Sequence, residues 1–164
     1  MRTFVLLLFG FIALLAEEIK KPTSEELAEA AKFYGRTIKI PKELYGIWTA
    51  KANISYTESF GTYTDTLNFC SDLFIENEYK ETKGNKEKST KSYDVITSYS
   101  LSPRQGQGVY FFTLQPVKRE ERGKTIYGMF FYKNTKKLFH KSMIGDQEAE
   151  SIEYKFEKCP SDKK

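Results

Sequence analysis

From Trp48 almost to its end the chain repeats one pattern, short runs in which apolar and polar residues alternate with a period of two. In the first run Trp48, Ala50, Ala52, Ile54 and Tyr56 fall on one side, and Thr49, Lys51, Asn53 and Ser55 on the other. That is a strand with one buried and one wet face. In the last run, near 150–158, Ile152, Tyr154 and Phe156 alternate with Glu153, Lys155 and Glu157. Further strands are expected near 62–70, 71–81, 92–101, 108–117, 123–132 and 136–144. The breaks carry turn residues: Ser59-Phe60-Gly61, Gly84-Asn85, Ser102-Pro103 with Gly106 and Gly108, Arg122-Gly123, Asn134 and Gly145-Asp146. No helical pattern among them is long enough to cross a sheet, so neighbouring strands pair antiparallel. A meander of this length leaves two open edges unless it closes on itself. Eight strands are also the fewest that enclose room for one small ligand. The expected fold is mainly β, an eight-stranded antiparallel up-and-down β-barrel with one N-terminal α-helix; a β-sandwich is the alternative.

The residues before the first strand divide in two. Met1-Arg2-Thr3 gives a short positive start, an uncharged apolar run extends from Phe4 to Ala16, and Glu17, Glu18, Lys20 and Lys21 end it. The run is shorter than the roughly 20 residues of a membrane-spanning helix. It has the form of a secretory signal peptide over 1–16, cleaved after Ala16; an uncleaved membrane anchor is the alternative. Residues 17–43 form an N-terminal arm and helix. Thr23 or Ser24 caps a helix near 24–34, Glu25 and Glu26 occupy its first turn, and Gly35 stops it. Residues 44–159 make the barrel domain, and 160–164 a tail.

Composition narrows the chemistry. Loss of residues 1–16 removes Arg2 and no acid, leaving 25 Lys+Arg against 22 Asp+Glu, a net charge of +3. So small an excess does not point to nucleic acid. No nucleophile elbow, phosphate-binding loop, dinucleotide fingerprint or His-Glu-x-x-His motif occurs, and no enzyme activity or cofactor is expected. The single histidine, His140, sits on a strand and reads as a solvent-facing or satisfied core residue; no metal site is expected. Glu76 and Glu78 read as a wet strand face. Lys80 to Lys91 reads as a solvated loop, or as a basic lip drawing an anionic headgroup or acidic partner. Asn53-Ile54-Ser55 is a glycosylation sequon that matters only in a eukaryotic secretory pathway.

Gly46-Ile47-Trp48, after a short helical segment and before about eight strands, resembles the lipocalin signature at the start of strand one. The resemblance spans roughly residues 36–159 and implies an up-and-down barrel of the wider calycin type. It gives Trp48 a place inside the closed end and gives Gly46 the role of allowing close chain approach. No arginine follows Arg122, so the family's late arginine stacked on that tryptophan is missing or replaced by Lys155 or Lys158. A Thr-Asp-Tyr motif is not recognisable.

If strand one starts at the closed end, the turns near 58–61, 82–91, 118–122 and 145–149 gather at the open end. Cys70 and Cys159 then both finish at the closed end, about 10 Å apart across strand one. A tail passing under strand one brings them together, and the resemblance also implies a disulfide tying the tail to the barrel. Such a bridge stabilises by roughly 4 kcal/mol; two separate buried thiols are the alternative. Inward candidates near the mouth are Tyr56, Tyr63, Tyr79, Tyr93, Tyr127 and Tyr154, with Phe69, Phe111, Met129 and Phe156 deeper. They predict an aromatic cavity with hydroxyls at its rim for a small hydrophobic or amphipathic ligand. Aromatic filling of a solid core is the alternative. The expected function is ligand binding by a periplasmic or secreted protein without a stable membrane span. A protein-binding module of inhibitor or immunity type, with a solid core, is the alternative.

Overall fold

The computed structural model describes residues 20–56, 59–101, 108–123, 127–140, 143–144, 147–148 and 152–160. The expected signal segment and the residues after 160 lie outside the described residues. Helix α1 spans Ser24–Tyr34. Ten strands follow: β1 Ile47–Tyr56, β2 Ser59–Asn68, β3 Ile75–Lys83, β4 Lys86–Leu101, β5 Val109–Pro116, β6 Tyr127–Tyr132, β7 Lys137–His140, β8 Met143–Ile144, β9 Gln147–Glu148 and β10 Ile152–Glu157. Eight of them close a barrel in the order β1-β10-β7-β6-β5-β4-β3-β2, while β8 and β9 pair separately. Every pairing is antiparallel. The expected barrel, rather than a sandwich, is the fold.

Helix α1 starts as its sequence dictates. Thr23 accepts from the Glu26 backbone N–H, the Glu26 carboxylate accepts from the Thr23 backbone, and Gly35 closes the helix at φ 76°. The helix lies outside the barrel, where Ala30 packs with Tyr93, Val95 and Val117. Tyr34 donates to the Pro116 carbonyl at 2.8 Å, and Arg122 joins the Val117 and Glu26 carbonyls to one another.

Inside, the closed end is solid and apolar. Trp48, Leu67, Phe69, Ile75, Ile96, Phe112, Leu114, Met129, Phe131 and Leu138 form one cluster. A 3-10 turn at Lys42–Leu44 plugs it, with Leu44 fully buried and its carbonyl accepting from Trp48 Nε1 at 2.9 Å. Phe156, not Lys155 or Lys158, covers Trp48, with ring centroids 4.9 Å apart; both lysines are exposed. Gly46 has φ +152°, and a Cβ there would meet the Phe156 ring and stand 2.8 Å from the Glu157 carbonyl. Cys70 and Cys159 are bridged beneath β1.

The structure differs from the sequence reading in several features. Ser59-Phe60-Gly61, expected as a turn, opens β2 in register with Ile54–Tyr56. Lys80–Lys91 is not a loop, because β3 and β4 continue to a two-residue turn at Gly84-Asn85. Opposite charges face one another across that ladder, Glu78 with Lys91 and Glu81 with Lys88, which favours pairing over a solvated loop. The expected strand 136–144 divides into β7 and the short β8. Finally, β4 carries a bulge at Thr97, between the pairs Ile96–Leu114 and Ser98–Thr113. Ile38 N–H and Arg36 Nε–H donate to the Ile96 and Thr97 carbonyls, so the bulge is held by the segment entering the barrel.

Candidate functional site

The bulge decides which side chains of β4 face inward. Without it Tyr93 and Tyr99 would share a face. The extra residue sends Tyr93 and Val95 outward under α1 and turns Asp94 and Ile96 into the barrel. Tyr93, expected at the ligand mouth, therefore belongs to the outer helix contact. Phe111 is also on the outer face, its ring 5.1 Å from that of Phe130, while its neighbours Phe112 and Leu114 point inward. Both faces of these stretches are apolar, so alternation alone does not distinguish inside from outside.

Above the apolar floor the interior becomes polar. Asp65 on β2 is registered with Ala50 on β1 and Tyr79 on β3. Tyr154 on β10 lies one step past the pair Thr49–Lys155, level with Ala50. Ala50 is small enough for the Tyr154 ring to pass over it, and the Tyr154 hydroxyl donates to Asp65 Oδ2. Asp94, 1% exposed, is paired with Ile75 and accepts a hydrogen bond from the Asn77 side chain on β3. His140 on β7, half-buried and registered with Met129 and Ile152, faces the same interior. Tyr63 and Tyr79 stack with centroids 5.6 Å apart.

The electrostatics follow from burial. Desolvation raises the Asp65 pKa, opposed by the Tyr154 hydrogen bond and by the charge of His140. Asp94 is pushed up to about 7 by burial, opposed by Asn77 and reinforced by Glu121 and Asp65. Burial lowers the His140 pKa against the pull of Asp65. Tyr63 and Tyr79 are raised by burial and then by Asp65. Within this belt Asp94 Oδ2 and Asn77 Oδ1 are buried acceptors that meet no donor among the described residues. A third such atom, Gln115 Oε1, belongs to the outer-face register row shared with Val95.

Of the sequence-expected ligand residues, the structure brings together Tyr63, Tyr79 and Tyr154, and puts Met129 in the apolar floor. Phe69 is fully buried there beside Phe112, and Phe156 caps Trp48. Tyr56 and Tyr127 are placed by their backbones only, opposite Ser59 and Leu114; their side chains lie outside the described residues. Sequence reasoning missed Asp65, Asn77 and Asp94. Asp65 was detectable, since it shares the period-two face of Tyr63 and Leu67 and is charged at an inward position. Asp94 was not, because its direction depends on the bulge.

A surface groove of about 440 Å3 runs outside the barrel beside the start of α1, past Lys91, Tyr93 and Val117. It shares no residue with the belt and mixes charges of both signs. Among the described residues no group of three or more His, Cys, Asp or Glu is placed to hold a metal ion, and no helix is long and apolar enough to cross a membrane. No family model, no curated protein and no solved structure matches the chain.

Proposed function

We propose that the protein is an exported, lipocalin-like binder that takes one small amphipathic molecule into the open half of its barrel. The observation that carries this reading is the polar belt of Asp65, Asp94, Asn77, His140 and Tyr154, enclosed by a continuous sheet above a solid floor. A barrel needing only stability gains nothing from enclosed carboxylates, whose desolvation opposes folding. A ligand's flat apolar part would lie against Tyr63 and Tyr79 and its polar end at the belt. Burial would supply about 25 cal/mol per Å2 of apolar ligand surface, before ordering costs. The disulfide and the apolar leader support export.

The test is titration of the disulfide-intact protein with two neutral aromatic probes, N-phenyl-1-naphthylamine and 3-ethylindole, followed by probe or Trp48 fluorescence. Saturable one-to-one binding, weakened tenfold or more in Tyr79→Ala, is expected. A flat titration with both probes overturns the reading and moves the function to the loops and a protein partner.

A further inference from the structure

The belt has an excess of acceptors. Asp65 and Asp94 both stand in inward register positions, and the charge of Asp65 adds to burial in raising the Asp94 pKa. Among the described residues no lysine or arginine makes an ion pair with either, whereas outer-face acids such as Glu76 are paired with lysines. His140 is pushed by burial toward its neutral form, so it does not supply a full countercharge. Asp94 Oδ2 and Asn77 Oδ1, side by side on neighbouring strands and both nine-tenths buried or more, receive no donor from the described chain. Buried polar atoms are satisfied in the great majority of cases. With Asp94 ionised, a group that satisfied this set would bring N–H donors and a positive charge. The stacked Tyr63 and Tyr79 rings beside Asp65 suit the flat body attached to it, and their π faces favour a cation.

We propose that the belt is a cation subsite: a primary ammonium group on a small flat molecule donates to Asp94 Oδ2 and Asn77 Oδ1 and is neutralised by Asp94 and Asp65. This inference rests on the barrel-interior reading above and narrows its ligand to a class, the small aromatic amines. The ammonium keeps its protons and no bond is made or broken. Asp94 is the principal partner because it is the carboxylate with an oxygen left over; Asp65 already receives the Tyr154 hydroxyl.

The test compares tryptamine with 3-ethylindole, which keeps the ring system and lacks the ammonium, by calorimetric titration of the full disulfide-bonded protein. Tryptamine is expected to bind at least tenfold more tightly at pH 8. Asp94→Asn and Asp65→Asn are each expected to remove most of that preference, read as the ratio of the two affinities within the same variant. In the wild type the preference should grow from pH 5.5 to 8. Over that range Asp94 ionises, helped by the Asn77 hydrogen bond on β3 and opposed by Asp65 on β2 and Glu121 after β5, with the Tyr34 hydroxyl on α1 in its field, and His140 beside Asp65 loses any residual charge. This pH series needs no variant, so it holds if either substitution prevents folding. Equal affinity for the two compounds, or a preference that survives both substitutions, overturns the cation subsite. If 3-ethylindole or N-phenyl-1-naphthylamine still binds in that case, the barrel-interior reading stands; if no probe binds, both fail.

Discussion

The two halves of the barrel interior are built from the same strands and obey opposite rules. At the closed end Trp48, Phe112, Phe131, Leu44 and Phe69 fill the space, and the one polar tip among them, Trp48 Nε1, has its acceptor in the Leu44 carbonyl. One step of side chains further up, Asp65, Asp94, Asn77 and His140 occupy inward positions, and two of their acceptors meet no donor among the described residues. A shared backbone with alternating side chains permits both, since β2, β3, β4 and β7 each supply one residue to the floor and one to the belt: Leu67 and Asp65, Ile75 and Asn77, Ile96 and Asp94, Leu138 and His140. The floor is where free energy of folding is gained; the desolvated carboxylates of the belt oppose folding.

Disrupting the floor should have the largest effects. Reduction of Cys70–Cys159, or the double substitution to alanine, should lower stability by about 4–5 kcal/mol, given the 89-residue separation of the pair; urea unfolding with and without reductant measures it. Phe131→Ala, which removes a fully buried ring packed edge-on to Trp48, should cost about 4 kcal/mol in the same assay. The belt should reveal itself through pH. Because Asp94 titrates near 7 when folded and near 4 when unfolded, its contribution is full below pH 4 and is lost as pH rises to about 7. The loss is of the order of 3 kcal/mol between pH 4.5 and 7. Asp94→Asn should flatten that part of the stability curve; an unchanged slope would mean the carboxylate is less enclosed than described. His140, lowered by burial, acts in the opposite sense, so the difference between wild type and variant is the quantity to read. The smallest effect is expected from Tyr154→Phe, about 1–2 kcal/mol, through loss of the donor to Asp65. If that substitution proved as damaging as Phe131→Ala, the distinction between floor and belt would fall.

The inward face was legible in the sequence where the other face is wet, and illegible where both faces are covered. Trp48-x-Ala50 and Ile152-x-Tyr154 alternate against charged neighbours, so burial is written in the contrast. Helix α1 was readable to its ends because Thr23, Glu26 and Gly35 act locally. Where the outer face is also covered, as under α1, Tyr93-Asp94-Val95-Ile96 offers no contrast, and only the bulge at Thr97 assigns the sides. Bulges depend on contacts distant in sequence, here the segment Arg36–Ile38, and leave no local trace. The same limit hid the β3–β4 hairpin. Its lysines looked solvated because each residue was weighed alone, while the cross-strand partner Glu78 or Glu81 supplies the reason to pair.

A ring made from one meandering ribbon has a single join, where the first stave meets the last. Here that join rests on three registered rows, Ile47–Thr49 against Lys155–Glu157, the shortest stretch of contact β1 makes. The sulfur link passing underneath rivets the last stave to the second rather than to the first, so the seam cannot part by losing those rows alone.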